Sequence, residues 1–129
     1  MNGNYSIYLC DLTEELAEKG KKSIDKNTCL SGQKKEKWQI VKKNAILDRI
    51  TIGTKEIFKD ADLIIEAVKE NMQIKKETFK ELDSIVPANC MFASNTSSLS
   101  VTEMSNGLSR PVIGMHFFNP APVMKLVEV

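Results

Sequence analysis

The chain has 129 residues, room for one hydrophobic core, which excludes two complete catalytic domains. Hydrophobic residues at 42% and charged residues at 27% are the proportions of a folded globular domain and exclude a low-complexity or fibrous chain. With 18 Lys+Arg against 17 Asp+Glu, a net charge of +1 gives no global pull toward nucleic acid or a membrane, and neither is expected as a partner.

The elements read in chain order as α/β. Tyr5 to Cys10 is an apolar run expected as a buried strand ending at Asp11, and Asp11 or Thr13 can cap a helix opening at Glu14-Glu15-Leu16-Ala17. Residues 19–43 carry nine lysines and lack sustained periodicity; they are read as helical. Ala45, Ile46, Leu47 and Ile50 suggest a helix ending near Gly53, with a short edge strand at Thr51-Ile52. Asp62 to Ala67 is a continuous apolar run between charges, expected as a central strand of a parallel sheet covered on both faces.

Residues 71–86 place Ile74, Thr78, Leu82 and Ile85 at helical spacing, with Pro87 just beyond. Cys90 to Ser94 reads as a strand, Ser100 to Ser105 as a short helix capped by Ser100, and Val112 to His116 as another strand. Asn119-Pro120-Ala121-Pro122 breaks structure, and Lys125 to Val129 begins a last strand. No apolar run is long enough to span a membrane, and residues 1–15 lack the basic-then-apolar order of a secretory signal, so the cytoplasm is the expected compartment. Three widely spaced cysteines and one histidine point to neither a disulfide framework nor a metal site.

Open α/β sheets bind ligands outside the carboxyl ends of their strands. Here those ends carry Asp11, then Glu66 and Glu70, then Ser94-Asn95-Thr96-Ser97-Ser98, and finally His116 and Asn119. Each has a plain structural alternative. Asp11 suits a ribose hydroxyl or a helix cap; His116 suits acid/base work or the support of a strand end. Glu128 sits in the apolar run Leu126 to Val129, where a carboxylate is either exposed or paired, and pairing with His116 would fix the imidazole tautomer. Ser97 with His116 and Glu128 has the residue types of a hydrolytic triad, although the G-x-S-x-G elbow is missing.

The stretch Ser94-Asn95-Thr96-Ser97-Ser98-Leu99, followed by Gly114-Met115-His116-Phe117-Phe118-Asn119-Pro120 and onward to Glu128, closely resembles the L-3-hydroxyacyl-CoA dehydrogenase family, and within it the bacterial 3-hydroxybutyryl-CoA dehydrogenases. Leu9-Cys10-Asp11, the segment Ile64 to Asn71 and Lys75 align as well. The resemblance implies a Rossmann-type, doubly wound, mainly parallel sheet and interconversion of (3S)-3-hydroxyacyl-CoA and 3-oxoacyl-CoA with NAD. By that resemblance His116 is the general acid/base, Glu128 orients it, and Ser97 bonds the substrate oxygen beside the nicotinamide. Asn119 joins the catalytic and substrate-binding set, while Asp11 holds the adenosine ribose and Glu70, Lys75, Asn95 and Ser97 contact the cofactor.

The family opens with a strand and a G-x-G-x-x-G turn, about 20 residues ahead of the ribose acid. None of the glycines at 3, 20, 32, 53, 107 and 114 forms a G-x-G, and Asn2 to Tyr5 resembles the approach to the family's second strand. Residues 1–129 are therefore expected to be part of the NAD-binding domain, without the first strand and without the helical domain that completes the acyl-CoA cleft and the usual homo-oligomer interface. Such a piece is expected to be weakly stable, with impaired activity or none, or to persist as a non-catalytic binding remnant. Residues 28–43 lack the amphipathic pattern of the family's helical hairpin, so Lys34 is not carried over to a CoA contact.

Overall fold

The computed structural model describes residues 5–27, 44–121 and 123–129. The helical expectation over 28–43, Lys34, the start of the chain and Pro122 lie outside them. The chain divides into two compact units, Met1–Ile57 and Phe58–Val129.

In the first unit, strand β1 (Ile7–Leu9) runs parallel to β2 (Ile50–Ile52), with Ile7 opposite Ile50 and Leu9 opposite Ile52. Helix α1 (Glu14–Asn27) follows β1. Its first turn is capped by Thr13, whose hydroxyl accepts the Leu16 N–H at 3.3 Å, while the Asp11 carboxylate accepts the Leu12 N–H at 2.7 Å instead. The cap choice left open by the sequence thus falls to Thr13. Ala17 of α1 is buried, and the Lys21 ammonium donates to the Ile50 carbonyl at 2.6 Å, tying the helix to β2. The strand expected to be buried at Tyr5 to Cys10 is shorter and largely accessible, because a two-stranded pair supports it on one side only. Helical structure near residue 46 covers 44–47, and Ile50, placed in that helix by its spacing, is instead the buried first residue of β2.

A 3-10 helix (Lys55–Asp60) carries the chain across the division at Ile57, and the second unit holds a three-stranded parallel sheet, β3 (Leu63–Glu66), β4 (Met91–Ser94) and β5 (Val112–Gly114), in that order. The register puts Glu66 opposite Ser94 and Ser94 opposite Gly114, so the three carboxyl ends finish level. Helix α2 (Met72–Asp83) and the short α3 (Val101–Ser105) follow β3 and β4. Asn71 caps α2 by accepting the Ile74 N–H at 3.1 Å, and Ser100 caps α3 by accepting the Glu103 N–H at 3.2 Å, the latter as its sequence indicates. Ile64, Phe92 and Val112 point from one face of the sheet into a core shared with Phe79, Leu82, Val86, Cys90 and Met104. Phe79 and Phe92 stack at 5.1 Å between ring centroids.

Three expectations need correction here. β3 is not the central strand; β4 is, and Leu63 and Ile65 on the opposite face of β3 are exposed, so this sheet is covered on one face within its unit. The buried stripe of α2 is Lys75, Phe79 and Leu82 rather than Ile74, Thr78, Leu82 and Ile85, and Ile74 is exposed. The run expected as one strand from Val112 to His116 is interrupted at Met115, whose N–H donates to the Ser94 carbonyl at 2.9 Å. Beyond it β6 (His116–Phe117) pairs antiparallel with β7 (Val127–Glu128) across the turn that holds the cis Asn119-Pro120 peptide.

Candidate functional site

The level ends of β3, β4 and β5 carry polar groups whose partners are specific. Glu66 closes β3 with a carboxylate only 3% exposed, and Lys75 of α2 is fully buried. Burying either charge alone is prohibitive; together they are satisfied. The Lys75 ammonium lies 2.8 and 3.0 Å from the two Glu66 oxygens. Glu66 also accepts the Val68 N–H at 2.6 Å and the Ser94 hydroxyl at 2.5 Å, so both its oxygens are doubly used. The same ammonium lies 3.2 Å from Glu70, whose side chain is 43% exposed.

Glu70 carries that contact into the loop after β4. It accepts the Thr96 hydroxyl, and the Thr96 oxygen in turn accepts the Leu99 N–H at 3.0 Å and the Ser98 N–H at 3.4 Å. The Glu70 carboxyl is held below its ordinary range, chiefly by the Thr96 hydroxyl; partial burial opposes this, and Lys75 and the Ser97 backbone N–H reinforce it. The loop is tied on its other side through Asn95, whose side-chain oxygen accepts the Phe117 N–H at 2.9 Å and whose own N–H donates to the Glu66 carbonyl at 2.7 Å. Ser97 itself is exposed at the tip.

His116 and Glu128 are register partners across β6 and β7. Nδ1 of His116 lies 3.5 Å from a Glu128 oxygen, within ion-pair reach of an imidazolium but without a hydrogen bond. The imidazole rests against Phe118 with ring centroids 4.7 Å apart. Asn119 follows on the exposed turn.

Of the residues singled out in the sequence, the second unit links Lys75, Glu70 and Ser97 through the Glu70 carboxylate and pairs His116 with Glu128, while Asn95 meets the β6 backbone at Phe117, the residue after His116. Asp11 belongs to the first unit, where its exposed carboxylate stands just past the end of β1. Lys75, expected at the cofactor, has no exposed surface and its ammonium is spent on Glu66 and Glu70, so its reach to the surface is through Glu70. Glu66, Ser94 and Thr96 carry contacts that the sequence reading did not assign. The signal was there: a carboxylate ending an apolar strand cannot be buried bare, and a lysine sharing a helical stripe with Phe79 and Leu82 must bring a counter-charge. Among the described residues no helix is long and apolar enough to cross a membrane, and no group of His, Cys, Asp and Glu is arranged to hold a metal.

The family profile "3-hydroxyacyl-CoA dehydrogenase, NAD binding domain" matches residues 1–129. The chain is 44% identical over 131 residues to a probable 3-hydroxybutyryl-CoA dehydrogenase of Bacillus subtilis, covering 99% of this chain and 45% of that protein. It is 38% identical over 133 residues to the human mitochondrial hydroxyacyl-coenzyme A dehydrogenase, covering 97% and 42%. The fold matches the crystal structure of (S)-3-hydroxybutyryl-CoA dehydrogenase from Ralstonia eutropha with a TM-score of 0.80 at 36% identity, over 95% of this chain and 44% of that one. The fold is thus the Rossmann-type α/β arrangement expected from the sequence, and the chain spans under half the length of the curated relatives it matches. Its match over the full 129 residues places the chain in the 3-hydroxyacyl-CoA dehydrogenase NAD-binding domain family.

Proposed function

We propose that this chain supplies the acid/base and cofactor-facing groups of an NAD-dependent 3-hydroxyacyl-CoA dehydrogenase acting on short acyl chains such as 3-hydroxybutyryl-CoA. The observation that carries the reading is the register of β6 against β7, which sets the Glu128 carboxylate 3.5 Å from Nδ1 of the chain's single histidine. A carboxylate at Nδ1 favours the tautomer with its proton there and leaves Nε2 free to take the proton of the substrate 3-hydroxyl, or to give it back in reduction. Ser97, exposed on a loop fixed from two sides, bonds the substrate oxygen, and Asn119 joins the substrate-binding set.

The residues present suit part of a dinucleotide. An exposed carboxylate past the end of a parallel strand, as at Asp11, has the chemistry for ribose hydroxyls and repels a 2′-phosphate, which favours NAD over NADP. In the second unit Glu70 and Asn95 stand past the ends of β3 and β4. A pyrophosphate turn is not among the six glycines of the sequence. Hydride exchange with carbon 3 is the chemistry that bound NAD provides; proton movement and substrate orientation fall to His116, Glu128 and Ser97. On this reading residues 1–129 are part of an NAD-binding domain, acting within a cytoplasmic enzyme.

The test is oxidation of NADH by acetoacetyl-CoA, followed at the nicotinamide absorbance, with the purified chain and its His116→Ala variant. Loss of a positioned general acid/base is expected to lower the rate by about 10² to 10⁴. Measurable turnover that is equal in the two proteins, or thioester cleavage that needs no nicotinamide and disappears in Ser97→Ala, overturns the proposal.

A further inference from the structure

The ionic cluster beneath the loop does nothing in the proton chemistry, yet it occupies buried space that an apolar pair would fill at no desolvation cost. Replacing a buried ion pair by hydrophobic residues of similar volume is often neutral or stabilising, so stability alone does not account for Glu66 and Lys75. An apolar pair could not present a fixed positive charge to a carboxylate at the surface. Lys75 does this: its ammonium is pinned by both Glu66 oxygens and lies 3.2 Å from Glu70. Glu70 then fixes the Thr96 hydroxyl, and Thr96 holds the Ser98 and Leu99 amides that shape the turn around Ser97.

We infer that Glu66 and Lys75 are positioning residues, which act through Glu70 and Thr96 to hold the loop 95–99 in the conformation that presents Ser97. The inference rests on the proposed function only in taking this loop as the one that faces substrate. With the ammonium removed, the Glu70 carboxylate turns out to water, the Thr96 hydroxyl loses its fixed acceptor, and the Ser98 and Leu99 amides lose theirs in turn. Asn95 still anchors the start of the loop to β6 through the Phe117 N–H, so the loosening is confined to the tip.

The experiment is amide hydrogen exchange read by NMR on the free chain, with no substrate or cofactor, so that its failure is distinct from failure of the turnover assay. In Glu66→Gln/Lys75→Met the buried charges leave together. The Ser98 and Leu99 amides should exchange about tenfold faster, a factor equivalent to ~1.4 kcal/mol and within the range of a hydrogen bond to a charged group. The Phe79 and Leu82 amides of α2 should keep their rates. Glu70→Ala, which cuts the link at a half-exposed carboxylate and leaves the buried pair whole, must give the same acceleration, so the inference stands or falls even if the double variant does not fold. Thr96→Val should reproduce it, and Thr96→Ser, which keeps the hydroxyl, should restore the original rates. Unchanged Ser98 and Leu99 exchange in folded Glu70→Ala refutes the inference. So does acceleration of loop and α2 amides together, which would make the cluster a support of the fold only.

Discussion

Lys75→Met removes the counter-ion of a buried carboxylate. It keeps the length of the side chain and an apolar stem on the buried stripe shared with Phe79 and Leu82, and it removes only the charge. What remains is Glu66, 3% exposed, with its carboxylate facing the Ser94 hydroxyl and the Val68 N–H and no counter-ion. Breaking a buried pair from one side costs about 3–5 kcal/mol, against a total stability of roughly 5–15 kcal/mol for a domain of ordinary size. With a urea m-value near 2 kcal/mol/M, the midpoint should fall by about 2 M. Glu66→Gln/Lys75→Met should recover most of that loss, because the amide keeps an acceptor for Val68 and a donor for Ser94 while no charge is stranded. Urea unfolding followed by far-UV circular dichroism measures both. A midpoint for Lys75→Met within about 0.5 M of the parent, or a double variant as weak as the single, would show that the pair is not buried as described.

The Arg110 guanidinium donates to Asp83 at 2.8 Å, to the Pro87 and Cys90 carbonyls at 2.6 and 3.0 Å and to the Ser109 hydroxyl at 3.3 Å, and it lies over the Phe92 ring at 4.9 Å. Arg110→Ala should cost about 3 kcal/mol in the same urea assay, and Arg110→Lys should recover only part of it, since an ammonium cannot span these acceptors. The Asp83 carboxyl is pushed up by burial, but the Ser109 hydroxyl and N–H and Arg110 outweigh this and hold it below its ordinary value of 3.8. A carboxyl lowered in the folded state stabilises the fold fully above that ordinary value, and the contribution is lost as pH falls through the lower folded one. Thermal unfolding should therefore show stability falling below about pH 4, with a shallower fall in Asp83→Asn, and an identical acid slope in that variant would refute the assignment. A Cβ added at Gly53 would lie 2.6 Å from Cγ2 of Ile57, a stiff branched side chain, so Gly53→Ala should destabilise the β1–β2 unit by about 1–3 kcal/mol of overpacking, seen as faster amide exchange at Leu9 and Ile52.

The sequence carried its elements through signals that act locally. Ser100 ahead of α3, Thr13 ahead of α1, and apolar runs ended by acids at β1 and β3 all fall where backbone propensity and capping place them. What it misplaced depends on contacts between distant segments. The face of α2 was set one residue off because Lys75 counts as a surface residue until Glu66 and Glu70, on other segments, replace its hydration. The break at Met115 has the same origin, since beyond it His116 and Phe117 pair with Glu128 and Val127 of β7 rather than with β4, and nothing within Val112 to His116 announces it. At the site, the candidates that face solvent, Asp11, Glu70, Ser97 and Asn119, were readable as polar residues past strand ends. The buried partners that hold them were readable only as groups that need a counter-charge, not as each other's, because burial is a property of the packed sheet and helix rather than of the residue type.

The same division between held and holding groups predicts how His116 behaves when it is removed. Its ion-pair contact with Glu128 is 3.5 Å long, is not a hydrogen bond, and involves a carboxylate 71% exposed. An exposed pair of that kind contributes about 0–1 kcal/mol, because water screens the attraction and the side chains give up freedom to form it. His116→Ala should therefore leave the urea midpoint within about 0.5 M of the parent. If the pair is built for chemistry, its strength appears only when bound substrate covers β6 and β7 and expels the screening water, so that the carboxylate acts on the imidazole through a lower dielectric. A large loss of stability in His116→Ala would instead place the histidine among the supports of the fold. Its proximity to Glu128 would then say nothing about proton transfer.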